Sequence, residues 1–342
     1  MGLPVYSIEN FSRESIDEVV ILLSFFHKKT VDTVTQKLTN EYPSIDRKKI
    51  LPLSPLLSQI NDEEFLRIFY MVCFSKDLNL ENPKTYTEKM QWLKLYDRRP
   101  IYNKLADKYE VRNYVSEKIG DDYLIPSLGC WEHFDDIAFK SLPEQFVLKC
   151  THDSDSIVIC TSKRKQLFYD KYWNEISGIK AVDEKISTAL KQNWYLLARE
   201  WVYKDIKPRI IADKYLGRNI SDYRFFVFNG MLRVIWVDFD TAGSRKANIY
   251  SSDWELLPCS WTYPSDQTKI IEKPKLFDKM KEFAERLADD LPMLRIDFFL
   301  VDEKLYFGET GFYSGSGFDG FTPPEYDEII GSLLQLPAKG ET

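Results

Sequence analysis

The feature that most constrains this 342-residue chain is a pair of acidic residues set within apolar runs near its C-terminal end. Asp297 lies inside IDFFLV, and Glu309 ends the run LYFGE. Two such runs joined by a short polar loop predict a β-hairpin. If the loop consists of the three residues 302–304, Asp297 faces Glu309 across the ladder, whereas an even-length loop places them on opposite faces.

Facing carboxylates need a partner, because like charges on opposed strands repel and buried charges are costly. A divalent cation removes that cost, and magnesium is commonly bound by one or two carboxylates together with nucleotide phosphates. The alternative is that Asp297 pairs with Arg295 while Glu309 lies at a solvated strand end. The residues alone leave both possibilities open.

A second candidate site follows the apolar run QFVLKC. Lys149 interrupts this run just before the turn at residues 151–156, and a strand, a lysine and a turn together suit a phosphate-binding site. The turn is not glycine-rich, however, and Asp153 and Asp155 would repel phosphate unless they point away or bind metal. The alternative is a solvated lysine followed by an Asx-type turn.

A third candidate is the segment DKYLGRNISDYRFF, which follows the apolar PRIIA run. Asp213 and Asp222 are candidates to bind an adenine amino group and ribose hydroxyls, with the backbone near Leu216 along the adenine edge. A solvated loop is the alternative, since acidic residues flank strands in many proteins. The glycine-containing stretch at 311–317 offers backbone N–H groups to an anion, although such loops are common.

Composition narrows the class of partner. A net charge of -7 and a pI near 5.3 argue against nucleic acid as the main partner, which requires clustered Lys and Arg. No apolar stretch approaches the roughly 20 residues that cross a bilayer, so no integral membrane segment is expected. The five cysteines lack the paired spacing of a zinc site. We therefore predict a cytoplasmic globular protein.

Periodicity predicts a helical N-terminal region, with one apolar helical face at residues 16–23 and another formed by Phe65, Ile68, Phe69 and Val72. A further helix is expected over residues 86–96, with Lys89 and Lys94 exposed to solvent. Short strands separated by turns follow from residue 123, interrupted by helical stretches at about 169–200 and 275–289. Asn229-Gly230 predicts a tight hairpin turn.

Several motifs in one order resemble the TupA-like branch of the ATP-grasp family over most of the chain. They include NPKTYTEKMQWLKLYDR, LADKYEVRNYV, YLIPSLGCW, FVLKCTHDSDSIVIC, REWVYKDIKPRIIADKYL, DYRFFVFNG, SRKANIYSSDW, RIDFF and FGETGFYSGSGF. The resemblance implies an α+β ATP-grasp fold of two lobes with antiparallel sheets. It implies a helical region at 1–104, an N-lobe at 105–212 and a C-lobe with the metal-binding hairpin at 213–337.

The resemblance also assigns roles. It implies that Lys108 and Lys149 contact the ATP phosphates, and that Asp213 takes the adenine amino group. Lys214 and Leu216 would supply backbone contacts to adenine, and Asp222 would bind the ribose. Arg224 becomes a phosphate ligand, Arg295 stabilises charge at the reacting centre, and Asp297 and Glu309 bind Mg²⁺.

Two positions depart from the family pattern. Ser154, Asp155 and Ser156 stand where relatives carry a Ser-Gly-Gly turn above the phosphates. Gly311 stands two residues after the glutamate, where many ATP-grasp proteins have an Asn-type metal ligand. Both departures bear on how tightly this chain binds a nucleotide and its metal.

The activity implied by the resemblance is an ATP- and Mg²⁺-dependent carboxylate-amine ligase of surface-polysaccharide biosynthesis, in the teichuronopeptide and capsule group. Its substrates would be a uronic acid, carried as a sugar nucleotide, a lipid-linked unit or a polymer, and an amino acid or simple amine. Three alternatives stay open: a sugar or glycan kinase, a non-catalytic glycan-binding protein, and a glycosyltransferase. Arg245 and Lys246 are candidates for acceptor recognition, and the sequence does not fix the oligomeric state.

Overall fold

A computed structural model describes residues 21–23, 50–52, 60–218, 220–241 and 244–339. Contacts divide the chain into two compact units, one formed by 1–79 with 196–199 and the other by 80–195 with 200–342. Each unit is described by itself. Residues 80–104, which were predicted to be part of the helical N-terminal region, belong to the second unit.

The first unit contains two short parallel strands, β1 (Ile21–Leu23) and β2 (Ile50–Pro52), and helix α1 (Asp62–Phe74). Asn61 caps α1 by accepting a hydrogen bond from Glu64 N at 2.9 Å. The helix is confirmed, and Phe65 of its predicted apolar face is fully buried, but the face is wrong at Ile68 and Val72, which are 40% and 41% exposed. Leu66 and Tyr70 are buried in their place. Of the first predicted face, residues 16–20 lie outside the described residues, and 21–23 form a strand.

The second unit begins with helices and then alternates strands and helices. Its helices are α2 (Tyr86–Tyr96), α3 (Ile101–Ala106), α4 (Val111–Ile119), α5 (Gly178–Leu190), α7 (Phe277–Ala288) and α8 (Glu325–Ser332), and α6 (Tyr195–Ala198) lies at the junction of the two units. Its strands are β3 (Ser127–Trp131), β4 (Phe146–Cys150), β5 (Val158–Ser162), β6 (Leu167–Tyr169), β7 (Glu175–Ser177), β8 (Ile210–Lys214), β9 (Ser221–Phe228), β10 (Met231–Thr241), β11 (Ser244–Ser251), β12 (Ser260–Trp261), β13 (Met293–Val301), β14 (Lys304–Gly311) and β15 (Phe321–Thr322).

The first large sheet is antiparallel, with strand order β3-β8-β4-β5-β6-β7. Strand residues alternate between its faces. One face packs its apolar side chains against α5, forming a core that includes Phe146, Leu148, Ala212, Val182 and Ile186. Lys149 and Asp213 project from the other face. The predicted boundary between the lobes, at residues 212 and 213, falls within β8.

The second large sheet is also antiparallel, with strand order β11-β10-β9-β13-β14. Its apolar face carries Phe225, Ile235, Ile296 and Phe298, all fully buried, and helix α7 packs in the same region. Phe225, for example, contacts Phe298 edge-to-face at a centroid distance of 5.5 Å. Alternation therefore sends the polar residues of these strands to the opposite face.

Two hairpins of this sheet, β9-β10 and β13-β14, contain a β-bulge. The β9-β10 turn at Asn229-Gly230 has positive φ at both residues, as predicted. The β13-β14 turn is the two residues Asp302 and Glu303, also with positive φ, so the loop has the even length that by itself would place Asp297 and Glu309 on opposite faces. An extra residue, Gly308, restores the register and places Asp297 directly opposite Glu309.

Helix α2 begins with a capping box in which Thr85 and Glu88 satisfy each other's backbone N–H groups. Its first turn is also held by α8. Asp327 accepts hydrogen bonds from Thr87 N at 2.9 Å and Thr87 Oγ1 at 2.6 Å, across 240 residues of sequence. Lys89 Nζ in turn donates to the carbonyls of Gly331 and Leu334, at the end of α8.

The prediction that Lys94 is exposed is wrong, because its side chain is fully buried. Lys94 Nζ donates to Ser316 O at 2.6 Å and to Gln91 Oε1 at 2.9 Å, and it lies 4.4 Å from the ring centroid of Phe318.

Across the described residues, no helix combines the length and the apolar character needed to span a bilayer.

Candidate active site

The polar face of the five-stranded sheet carries a row of side chains across four strands. Pairing places Glu309 opposite Asp297, Asp297 opposite Arg224, and Arg224 opposite Trp236. Arg295 lies two residues before Asp297 and so projects from the same face. We call the row of Glu309, Asp297, Arg295, Arg224 and Asp238 the acid-base strip. Asp238 joins it because it lies two residues beyond Trp236.

Arg295 bridges the two predicted metal ligands. Its Nε and Nη2 donate to both oxygens of Asp297, at 2.7 and 2.8 Å, and Nη2 also donates to Glu309 Oε1 at 2.7 Å. A third contact, from Nη1 to Ser314 Oγ at 3.3 Å, fixes the guanidinium plane. Asp297 therefore pairs with Arg295, and it also lies opposite Glu309 as a shared metal site would require.

The pKa values of Asp297 and Glu309 shift in opposite directions. Burial raises the pKa of Asp297 to about 7, against the opposing charges of Arg295 and Arg224. Burial also acts to raise the pKa of Glu309, but the positive charges of Lys108, Arg295, Lys149 and Arg224 outweigh it and hold that pKa below its usual value. Of these two carboxyl groups, Glu309 is therefore kept ionised, whereas an ionised Asp297 requires additional positive charge nearby.

The influence of Lys108 and Lys149 on Glu309 brings the six-stranded sheet into the same site. Lys149 Nζ lies 2.9 Å from Asp213 Oδ2. Lys108 Nζ donates to the carbonyl of Asp153, and Lys108 N donates to Thr151 O at 3.1 Å. Thr310 Oγ1 of β14 donates to Leu105 O, which brings the segment of Lys108 beside that strand, and the charges of Lys108 and Lys149 both lower the pKa of Glu309.

Hydrogen bonds and an ion pair fix the conformation of the turn at residues 151–156. Ser156 Oγ donates to Asp153 Oδ1 at 2.7 Å and accepts from Cys150 N at 2.6 Å. Asp155 pairs with Lys171 at 3.0 Å. These contacts hold a turn that contains no glycine, and they engage the two carboxylates that would otherwise repel a phosphate.

The predicted adenine residues lie along and after β8. Lys214 N already donates to Pro126 O at 2.9 Å, so its N–H is engaged within the protein. Leu216 is half-buried in the segment that follows. Asp213 is buried and pairs with Lys149, so two residues predicted to bind opposite ends of the nucleotide contact each other here.

Two buried carboxylate oxygens, Asp213 Oδ1 and Asp222 Oδ1, have no hydrogen-bond partner among the described residues. Arg112 Nη1 approaches the first to 3.7 Å. Unsatisfied buried acceptors are uncommon and suit a ligand that donates hydrogen bonds. An adenine amino group and a ribose hydroxyl are donors, so both residues fit the groups expected of them.

The sequence matches a family model described as TupA-like ATPgrasp over residues 88–335, more than half of the chain. The chain belongs to the TupA-like ATP-grasp family. Membership confirms the predicted family and the predicted ATP-grasp fold class.

Similar solved structures are distant. An L-amino acid ligase from Bacillus licheniformis is 14% identical, with a TM-score of 0.41, covering 78% of this chain and 58% of that one. D-alanine-D-alanine ligase from Helicobacter pylori is 13% identical, with a TM-score of 0.36 and coverages of 68% and 60%. An ADP complex of the N5-carboxyaminoimidazole ribonucleotide synthetase purK is 15% identical, with a TM-score of 0.34 and coverages of 61% and 45%.

The TupA-like protein thus spans about half the length of the purK chain that it matches. Similarities at these TM-scores carry no argument about activity. A comparison with curated proteins finds no match.

Sequence reasoning missed two parts of the site. Asp238 binds Arg224 Nη2 at 2.6 Å and Trp236 Nε1 at 2.6 Å, and so orients Arg224. Glu200 is buried near Arg295, where Ser316 Oγ donates to it at 2.6 Å. The signal for Glu200 was its place just before the WVYKDIKPRII segment, but an acidic residue beside a helix end is too common to single out.

A metal at Asp297 and Glu309 would need further ligands from elsewhere. Among the described residues, no group of three or more His, Cys, Asp or Glu side chains is arranged to bind one. This arrangement fits magnesium bound with a nucleotide, because Mg²⁺ usually takes one or two carboxylates and completes its shell with phosphates and water. It does not fit a closed structural metal site.

Gly311 explains one departure from the family pattern. It pairs with Arg295, and a Cβ added at Gly311 would lie 2.8 Å from Arg295 Cζ. An Asn-type ligand at this position would therefore collide with the guanidinium that bridges Asp297 and Glu309.

We expect Gly311→Ala to lower ATP turnover by about 10- to 100-fold, because it displaces a residue that orients the metal ligands. Steady-state kinetics across a magnesium titration would measure the loss. The free energy of unfolding, measured in urea, should change little, so that the loss of turnover cannot be attributed to unfolding. An unchanged kcat and an unchanged magnesium dependence would contradict the positioning role of Arg295.

Proposed function

We propose that this protein is an ATP- and Mg²⁺-dependent carboxylate-amine ligase. Its substrate would be a uronic-acid-containing precursor or polymer of bacterial surface-polysaccharide biosynthesis, joined in the cytoplasm to an amine or amino acid. The observation that carries the proposal is the acid-base strip, together with the charges of Lys108 and Lys149 that act on its Glu309. Family membership supports the ligase class, and the uronic acid follows from the sequence resemblance.

On this proposal Lys108 and Lys149 bind the ATP phosphates. Asp213, with the Lys214 carbonyl and the Leu216 backbone, receives the adenine, and Asp222 receives the ribose. Lys149 then exchanges Asp213 for phosphate oxygens. The unsatisfied oxygens of Asp213 and Asp222 support this assignment, because each gains a donor on binding.

Asp297 and Glu309 are the residues that would hold Mg²⁺. When bound there, the ion supplies positive charge that neutralises the phosphates during transfer. It also compensates the Asp297 charge, whose burial raises the pKa of that carboxyl to about 7.

The reaction has two steps. A carboxylate oxygen of the acid attacks the γ-phosphorus of ATP, the bond from that phosphorus to the β,γ-bridging oxygen breaks, and ADP leaves. The amine nitrogen then attacks the carbonyl carbon of the acyl phosphate, loses a proton, and expels inorganic phosphate. Arg295 and Arg224 stabilise charge on the transferring group, and no side-chain nucleophile is required.

The test is ATP consumption by the purified protein, with a panel of uronic acids and amines supplied separately and together. A ligase produces ADP, phosphate and an amide only when magnesium, acid and amine are all present. Mass spectrometry separates this outcome from a kinase, which leaves phosphate on a hydroxyl and needs no amine. Nucleotide binding without turnover on any acid would count against the proposed reaction.

A further inference from the structure

Ammonium groups of three lysines bind three consecutive carbonyl groups in the turn between β4 and β5. Lys171 Nζ, from the loop between β6 and β7, donates to Ser154 O at 3.1 Å. Lys185 Nζ, from α5, donates to Asp155 O at 2.7 Å. The carbonyl of residue 153 accepts from Lys108 Nζ. The proposed reaction uses only Lys108, so the other two lysines have no role in it yet.

The directions of these carbonyl groups fix the directions of backbone N–H groups in the turn. The peptide bonds of the turn are trans, and in a planar trans peptide each N–H points opposite to the carbonyl of the preceding residue. The N–H of Asp155 therefore points away from the Lys171 ammonium group, and the N–H of Ser156 points away from that of Lys185.

The N–H of Ser156 is available to a ligand. Ser156 is 1% exposed, and its N–H has no hydrogen-bond partner among the residues that the structure describes. Backbone N–H groups in buried residues are almost always paired, and successive N–H groups in a turn commonly bind anions. A phosphate oxygen is an acceptor that suits this position.

Lys171 also compensates the charge of the turn. Its Nζ lies 3.0 Å from Asp155 Oδ1, and a carboxylate left unpaired there would repel a phosphate. The loop that carries Lys171 is itself fixed, because Asp170 accepts hydrogen bonds from Tyr172 N at 2.8 Å and Asn174 N at 2.9 Å. Lys171 is therefore presented to the turn from a rigid support.

The turn lies beside the proposed phosphate site. Lys108, which binds the carbonyl of residue 153, also has the largest effect among the positive charges that lower the pKa of Glu309. Lys149 precedes the turn directly in β4 and acts on Glu309 in the same sense.

We infer that Lys171 and Lys185 are positioning residues for nucleotide binding, which hold the turn with its N–H groups directed at the phosphates of ATP. The inference rests on the proposed function. Neither lysine contacts the nucleotide itself. Lys185 acts through the Asp155 peptide group, and Lys171 acts through the Ser154 carbonyl and the Asp155 carboxylate.

The test is calorimetric titration of the full chain, in magnesium chloride, with adenosine and with AMP-PNP, a non-hydrolysable ATP analogue. Lys171→Met and Lys185→Met should each raise the Kd for AMP-PNP by at least about tenfold, because a displaced N–H loses a hydrogen bond to a charged group. The Kd for adenosine should change by less than about twofold. Lys180→Met, an 89% exposed lysine on the same helix α5, is the matched control and should bind both compounds as wild type does.

A double variant separates positioning from direct contact. Asp155→Asn in the Lys171→Met background removes the carboxylate that Lys171 compensates, so it should recover part of the lost AMP-PNP affinity. No recovery would mean that Lys171 contacts the phosphates itself, and would overturn its positioning role.

An unchanged AMP-PNP affinity in either single variant would overturn the role of that lysine. An equal loss of adenosine affinity would reduce its role to general stability and would overturn the inference as well. Absence of AMP-PNP binding to wild type overturns the inference together with the ATP assignment. If AMP-PNP binds but no amide forms with any acid, the proposed reaction alone fails, and the Kd values still decide the inference.

Discussion

Replacing Asp297 with asparagine is expected to lower magnesium-dependent ATP turnover by about 10³-fold while leaving the protein folded. Asparagine keeps the shape and one acceptor for Arg295, but it cannot neutralise a cation. Burial raises the pKa of Asp297 to about 7, so the fold disfavours its ionised form and the neutral amide should not destabilise the protein. Turnover measured across a magnesium titration, together with urea unfolding, tests both statements.

Glu303→Gln is the matched control for Asp297→Asn. Glu303 lies at the tip of the same hairpin, is largely exposed, and pairs with Lys275 away from the strip. Its neutralisation should leave turnover unchanged. Wild-type magnesium dependence in Asp297→Asn would mean that this carboxylate does not bind the metal.

Lys94→Met is expected to lower the free energy of unfolding by about 3–5 kcal/mol, because it removes one partner from a buried charged cluster. Lys94 is fully buried beside the Ser316 carbonyl. Burial raises the pKa of Glu200, and the charge of Lys94 is the largest effect opposing that rise. Without Lys94, Glu200 keeps a buried charge with less compensation.

Urea denaturation of Lys94→Met, Glu200→Gln and the double variant measures the coupling between the two residues. Glu200→Gln should recover part of the stability lost in Lys94→Met. Lys104→Met, an exposed lysine on α3, controls for the loss of a lysine and should change stability by about 0.5 kcal/mol or less. A similarly small effect in Lys94→Met would show that its charge is not needed in the core.

The fold class could be predicted because local patterns and family motifs agree. Helix α2 has the predicted bounds, Tyr86–Tyr96, and α7 lies within one or two residues of expectation. The Asn229-Gly230 turn also has the predicted backbone. These features depend on near neighbours in sequence, which a single chain displays directly.

The site's register could not be predicted in the same way. Counting back from the two-residue turn pairs Asp297 with Gly308, and the bulge then shifts the partner to Glu309. Counting from Asn229-Gly230 likewise pairs Arg224 with Ile235, whereas the bulge between Leu232 and Val234 makes Trp236 the partner. Bulges depend on packing across the sheet, so the sequence does not reveal Asp238 as a partner of Arg224.

The misassigned exposure of Lys94 has a similar cause. On α2 its position is polar by composition, and the loop at 314–318, more than two hundred residues later, supplies the Ser316 carbonyl and the Phe318 ring that lie beside its ammonium group. Contacts of this separation are invisible to helical periodicity.

The link between α2 and α8 also sets an order of events as the chain is synthesised. Residues 86–96 leave the ribosome early, but Asp327 and the carbonyls that receive Lys89 emerge only after both large sheets have been made. Closing so long a loop costs entropy that local helix formation cannot offset, so the hydrogen bonds between α2 and α8 form late. Until then, the second unit remains a nascent intermediate whose helix α2 lacks its anchor.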